Sequence, residues 1–159
     1  MILEATAQDF SDLIAGRAPR DLNLPDSPLA DGDVLQMISD LFHTLAVDFT
    51  PAAWLVVEHG EVAGLCLIKG LPDDGAIDIA YGIAPTRWNR GIVSRAVADV
   101  IAWARADGRV TCLTAETLPD GWASQRVLER NGFVRTGERI DDEDGLVIGW
   151  RCETGAHRV

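Results

Sequence analysis

The segment Gly75 to Asp107, GAIDIAYGIAPTRWNRGIVSRAVADVIAWARAD, limits the possible folds of this chain more than any other. Asp78 to Ile83 mixes β-branched and aromatic residues and predicts a strand, and Pro85, which lacks a ladder donor, ends it. Behind Arg90-Gly91, apolar residues recur at Val93, Ala96, Val97, Val100, Ile101 and Ala104. That i, i+3, i+4, i+7 spacing is one buried face of a helix. A strand thus hands over to a packed helix through a short glycine loop. The leading amides of a helix have no internal partner and its dipole leaves partial positive charge there, so a phosphate beside Arg90 to Ser94 would meet several donors. The dipole alone contributes about 0.3–1 kcal/mol, so tight anion binding also needs the amide fan and Arg87 or Arg90. Gly91 removes the side chain that would block approach. It would equally ease a plain strand-to-helix turn, and this segment by itself leaves both readings open.

The chain has 159 residues, 47% of them hydrophobic, which suffices for one sizeable core, so residues 1–159 are read as a single domain. No apolar run approaches the roughly 20 residues of a membrane span, and Met1-Ile2-Leu3-Glu4 lacks the basic and apolar regions of a signal peptide. The expectation is a soluble, cytoplasmic protein with no membrane partner. Cys66, Cys112 and Cys152 lie in apolar strand-like runs without CxxC spacing, which favours reduced core thiols over disulfides or zinc ligands. His43 falls on a predicted helix, His59 in a turn and His157 in the tail, and no motif joins any of them to a cysteine. No metal is expected. A net charge of −11 argues against nucleic acid, whose binding needs a basic surface, and favours a cationic small molecule or basic peptide.

Taken in order, Met1 to Ala7 reads as a strand, and Asp9 can cap a short helix carrying Phe10, Leu13 and Ile14 before Gly16. Arg17 to Gly32, with three prolines and no periodicity, reads as a long surface loop, of the length that often binds something. Asp31 or Asp33 then caps a helix holding Leu35, Ile38, Leu41, Phe42 and Leu45 at helical spacing. Trp54 to Glu58 and Glu61 to Lys69 are strand-like around His59-Gly60, a two-residue hairpin turn. Leu71 to Gly75 turns into the strand Asp78 to Ile83. Val110 to Thr117 is the next strand, followed by a helix from about Trp122 to Arg130 that Asn131-Gly132 stops. Phe133 to Ile140 and Leu146 to Glu153 are two more strands around the acidic turn Asp141 to Gly145. The order β-α-α-β-β-β-α-β-α-β-β belongs to the α+β class. An edge strand of such a sheet is compatible with a monomer or a homodimer.

That order, with Arg90-Gly91 opening the third helix and ASQRVLERNGF on the fourth, resembles the GNAT superfamily of acyl-CoA-dependent N-acetyltransferases, and within it the RimJ/RimL-like branch. The likeness covers nearly the whole chain and is strongest in DIAYGIAPTRWNRGIVSRAV and TAETLPDGWASQRVLERNGF. It implies the GNAT fold, a mixed, mostly antiparallel seven-stranded sheet with four helices, and acetyl-CoA as cosubstrate. The strand at Asp78 to Ile83 would splay from Val110 to Thr117, and the acyl-CoA arm would enter the gap. Backbone groups near Ile83 would meet the pantetheine, and Arg90, Gly91, Ile92, Val93 and Ser94, with Arg87 beside them, would hold the pyrophosphate. The chain departs from the family pattern at Trp88 and Val93 in the glycine loop, although a Trp at Trp88 is familiar in the RimJ-like branch. It also has Leu128 where many members carry a tyrosine as leaving-group acid, and Gly121 where an asparagine is common.

Acyl transfer to an amine needs a neutral amine, a polarised thioester carbonyl and a proton for the thiolate. At pH 7 about one lysine side chain in a few thousand is neutral, against roughly a tenth of α-amines, so a lysine acceptor asks more of a base. Glu116 and Asp78, one on each splayed strand, are the candidate bases, with Glu116 first; each also fits a plain strand-borne carboxylate. Ser124 can donate to the thiolate or cap its helix. Tyr81 is read as core with its hydroxyl tied off. The resemblance gives an N-acetyltransferase acting on a small basic molecule or an N-terminal amine, with the loop Arg17 to Gly32 and the turn Asp141 to Asp144 bordering the acceptor. Leu128 and Gly121 motivate an alternative, an acyl-CoA-binding regulatory or partner-binding domain without catalysis. A P-loop nucleotide-binding enzyme is a poor third reading, since no GxxxxGK[ST] occurs.

Overall fold

Alternating and helical apolar spacing in the sequence yields the expected elements in the expected order. The computed structural model describes residues 1–72 and 75–155. Its elements are β1 (Ile2–Glu4), α1 (Ala7–Ile14), α2 (Gly32–Ala46), β2 (Ala53–Glu58), β3 (Glu61–Gly70), β4 (Ala76–Ile83), α3 (Ile92–Ala106), β5 (Cys112–Thr117), α4 (Trp122–Arg130), β6 (Val134–Asp141) and β7 (Gly145–Glu153). Part of the expected turn at Leu71 to Gly75, namely Asp73 and Asp74, and the tail with His157 lie outside the described residues.

The strands form one seven-stranded sheet in the order β1-β2-β3-β4-β5-β7-β6. Every neighbouring pair is antiparallel except β4 and β5, which are parallel because α3 carries the chain across the sheet between them. His59 and Gly60, both at positive φ (50° and 75°), make the two-residue turn that joins β2 to β3.

The middle of the sheet is covered on both sides. On one face Trp54, Cys66, Ile68, Ile77 and Ile79 pack under the inner side of α3, where Ile92, Ala96, Val97, Val100, Ile101 and Ala104 are buried. On the other, Leu55, Val57, Leu65 and Leu67 pack under Phe10, Leu13 and Leu35 of α1 and α2. Each large aliphatic side chain so buried stabilises the fold by about 1.5–3 kcal/mol. The β6 edge, by contrast, is exposed along nearly its whole length. Cys66, Cys112 and Cys152 are all buried, and burial pushes the Cys66 thiol up to about 12. Among the described residues no helix is long and apolar enough to cross a membrane.

Local details differ from the sequence reading. Thr6, not Asp9, caps α1: its hydroxyl accepts from the Asp9 amide, and the Asp9 carboxylate accepts from the Thr6 amide. Asp9 is instead buried at 2% exposure and receives Arg20 at 2.8 and 3.1 Å, an ion pair that anchors the loop between α1 and α2. Asp31 sits at the start of α2 but makes no side-chain cap. β5 begins at Cys112, after Thr111 has bonded the Gly75 carbonyl.

Gly64 of β3 lies so close to β4 that a Cβ there would overlap the Gly82 carbonyl oxygen. Backbone yields less readily than the tip of a side chain, so Gly64→Ala is expected to cost about 1–3 kcal/mol. A lowered urea midpoint would show it, and a wild-type midpoint would contradict this close approach.

Candidate functional site

β4 and β5 pair through Ala76↔Cys112, Ile77↔Leu113 and Asp78↔Thr114 and no further, although β4 continues to Ile83 and β5 to Thr117. Beyond Asp78 the two strands diverge and leave a wedge. On its other edge β4 stays paired to β3 as far as Gly64↔Ile83. The Ala84 amide bonds the Ala63 carbonyl on the β3 side, so alternation turns the amides and carbonyls of Ile83 and Tyr81 toward the wedge. The Trp88 indole N–H reaches the Ile83 carbonyl there, at 3.2 Å.

The mouth of the wedge is the start of α3. Asn89 and Gly91 take positive φ (63° and 72°), which lets the chain double back into the helix, and a Cβ on Gly91 would meet Arg95 Nη1 at 3.0 Å. Arg95 N bonds Gly91 O at 3.1 Å, so the amides of Ile92, Val93 and Ser94 precede the first intrahelical bond. Asn131, ending α4, donates its side-chain amide to the Ser94 carbonyl (3.2 Å) and hydroxyl (3.3 Å), tying the two helices at this turn. Arg90 is exposed. The fork of Arg87, expected on a phosphate, is received by Glu61 at 2.6 and 2.9 Å. That guanidinium holds the Glu61 carboxyl below its usual range. Between this loop and the β2–β3 turn lies a cavity of about 340 Å³ lined by Glu58, His59, Glu61, Arg87, Arg90, Ile92 and Arg95.

The acids stand at the inner end. Ile77 and Ile79 of β4, and Leu113 and Ala115 of β5, face α3 and α4, so alternation puts Asp78, Thr114 and Glu116 on the opposite face, shared with α1 and α2. Asp78 closes the β4–β5 ladder. It accepts Thr114 Oγ1 at 2.8 Å, and burial pushes its carboxyl above the usual range. Glu116 accepts Arg139 twice, at 2.5 and 2.7 Å, and that bond holds its carboxyl below the usual range. Arg139 also reaches Asp141 at 3.0 Å, so the β6–β7 turn is moored to β5. Lys69 occupies a bulge of β3 opposite β4, and its charge favours the ionised forms of both Asp78 and Glu116.

The structure therefore brings Asp78 and Glu116 to one face but does not put Ser124 with them. Ser124 lies in the first turn of α4, across the sheet, where its carbonyl accepts the Tyr81 hydroxyl at 3.3 Å. Leu128 is fully buried. Sequence reasoning missed Thr114, Arg139, Asn131 and the indole of Trp88. Thr114 carried a signal, since it alternates with Glu116 along one strand, whereas Trp88 and Asn131 stood out only as a departure in the glycine loop and a helix stop. Among the described residues no group of three or more His, Cys, Asp or Glu is arranged to hold a metal ion.

A family model described as acetyltransferase (GNAT) domain matches residues 1–134. The chain belongs to that family. Among curated proteins it is similar to the uncharacterized N-acetyltransferase YjdG of Bacillus subtilis, 29% identical over 85 residues, which are 52% of this chain and 51% of the relative. The match thus spans about half the length of each. Among solved structures it is similar to RimL, the ribosomal L7/L12 α-N-protein acetyltransferase in complex with coenzyme A, with TM-score 0.71, 17% identity and coverage of 98% and 94%. It is also similar to yncA of Salmonella typhimurium with acetyl-CoA, with TM-score 0.67, 16% identity and coverage of 100% and 96%. These likenesses establish the GNAT fold.

At the α3 start of this GNAT domain, any side chain on Gly91 must adopt an unfavourable left-handed backbone, and a large one fills the space before the free amides. Gly91→Trp is expected to reduce CoA affinity at least tenfold, the equivalent of about 1.4 kcal/mol, while circular dichroism stays that of the wild type. Unchanged affinity by calorimetry would remove this loop from the site.

Proposed function

We propose that this domain is an N-acetyltransferase of the RimJ/RimL-like branch that moves an acetyl group from acetyl-CoA to a primary amine, on a small basic molecule or a protein N-terminus. The observation that carries the reading is the β4–β5 ladder that stops at Asp78↔Thr114 and leaves backbone donors and acceptors of β4 facing a wedge. An extended chain with amides of its own, such as pantetheine, pairs with such an edge as a strand would. Ile83 supplies the backbone pairing group, and Arg90, Gly91, Ile92, Val93 and Ser94 receive the pyrophosphate. The GNAT family match supports the acetyltransferase reading, and Trp88 in the loop and the likeness to RimL support the branch.

The thioester carbon then lies near the inner end of the wedge. There the amine nitrogen attacks the carbonyl and its proton passes to a carboxylate, directly or through one water, as the C–S bond breaks and the CoA thiolate takes up a proton. Asp78 suits the base better than Glu116. Its carboxyl is pushed up by burial, whereas Glu116 is occupied and held ionised by Arg139, which weakens it as a base. Ser124, on the α4 side, is the candidate donor to the thiolate. A second reading, an acyl-CoA-binding domain without catalysis, is favoured by one observation: the α4 position where relatives place an acid is Leu128, fully buried.

Calorimetry with acetyl-CoA, followed by thiol release against a panel of amines and basic peptides, separates the two. Binding with release on some amine supports the enzyme, binding without release supports the second reading, and no binding defeats both. Asp78→Asn is expected to lower turnover by about 10²–10⁴ with little change in acetyl-CoA affinity, and Glu116→Gln to lower it less. The reverse ranking would return the role to Glu116.

The Asp78 shift also fixes a sign for stability. A carboxyl whose folded pKa is raised stabilises the fold only while protonated, and that contribution is lost as pH rises through the folded value. Asp78→Asn should therefore melt higher than wild type at neutral pH, and the gap should close toward pH 3. A lower melting point at pH 7 would contradict the burial that raises Asp78.

A further inference from the structure

We propose that Arg87 and Glu61 are the positioning pair of the pyrophosphate loop, with Arg87 holding that loop in shape and making no contact with the phosphate itself. The inference rests on the acetyl-CoA reading given above and assigns part of that site a different role. Arg87 ends the 3-10 turn Pro85–Arg87 that links β4 to the loop before α3. Its Nε and Nη2 fork onto the two Glu61 oxygens at 2.6 and 2.9 Å, and its Nη1 donates to the Thr86 carbonyl at 3.3 Å. The side chains of the pair are only 16% and 20% exposed. To touch a phosphate, Arg87 would have to abandon a bidentate, charge-assisted pair, among the stronger bonds a surface loop can make.

Glu61 opens β3 directly after the β2–β3 turn, so the pair joins that hairpin to the loop. A second bridge runs alongside it. Arg95, in the first turns of α3, donates to Glu58 at 3.0 and 3.2 Å and to the Arg90 carbonyl at 3.2 Å. The loop between α1 and α2 is braced on the same places: Asn23 exchanges backbone bonds with Gly60 and Val62, and the Ser27 hydroxyl meets Thr86 Oγ1 at 2.8 Å. Asp26 approaches Arg87 Nη1 at 3.8 Å. The turn at Arg87 is thus the point where hairpin, α1–α2 loop and pyrophosphate loop are held together. Arg90, whose side chain is exposed one residue before Gly91, is left as the arginine that can reach the anion.

The two roles predict opposite patterns in a double-mutant cycle of Arg87→Met and Glu61→Met, read by calorimetric CoA affinity and by the KM for acetyl-CoA. If the pair positions the loop, each single variant loses about tenfold in affinity and the double loses no more than either. The kcat at saturating acetyl-CoA then stays within about twofold, and the charge swap Glu61→Arg with Arg87→Glu recovers much of the affinity. If Arg87 were a phosphate ligand, Arg87→Met would weaken binding while Glu61→Met left it unchanged or tighter, and the swap would not rescue; that pattern overturns the proposal. Hydrogen exchange without any ligand supplies an independent arm: amides of residues 88–94 should exchange faster in Glu61→Met than in wild type, and equal rates overturn the proposal. A wild type that fails to bind CoA would instead overturn the acetyl-CoA reading.

Discussion

The parallel pairing of β4 with β5 lasts for three residue pairs, and the rest of the molecule is arranged around its ending there. A parallel neighbour requires a crossover, here α3, and the crossover starts where β4 stops. The same event therefore produces the wedge and places a helix N-terminus at its mouth. β4 can leave one edge unpaired because its other edge is bonded to β3 up to Ile83, and β2 and β3 are buried on both faces. The rigid half of the sheet supports the open half. Backbone groups that face such an edge gain by pairing with an incoming extended ligand.

The two candidate carboxylates show how environment separates like groups. Asp78 and Glu116 stand on the same face of adjacent strands, within reach of the same Lys69 charge. One is at the closed end of the ladder, partly screened from water, with a single hydroxyl donor. The other is farther out, under a guanidinium fork that also ties down the β6–β7 turn. Burial raises the first and the fork lowers the second, so two like groups on one face are driven apart in proton affinity.

Much of this was legible in the sequence because it depends on local rules. The Gly91 turn, the α3 face from Val93 to Ala104, the His59-Gly60 hairpin and the α4 span from Trp122 to Arg130 follow from glycine conformation and apolar spacing, and the structure keeps them. The wedge came from family resemblance, since no periodicity tells a strand where to leave its neighbour. What stayed hidden was pairing across long separations. Neither the fork of Arg139 on Glu116, 23 residues earlier, nor that of Arg87 on Glu61, 26 residues earlier, could be read from the sequence. Asp9 looked like the cap, but Thr6 holds that place, and the Asp9 carboxylate accepts both the Thr6 amide and Arg20. In each case an arginine chose its partner in three dimensions.

The burial of Cys66 has a consequence for a site that would release a thiol at every turn of its cycle. Mixed disulfides form by attack of a thiolate, and a thiol pushed up to about 12 is ionised in only about one molecule in 10⁵ at pH 7. Cys112 and Cys152 are likewise enclosed in the sheet. All three cysteines of the chain are buried, so a thiol released in the wedge would meet no exposed cysteine among the described residues.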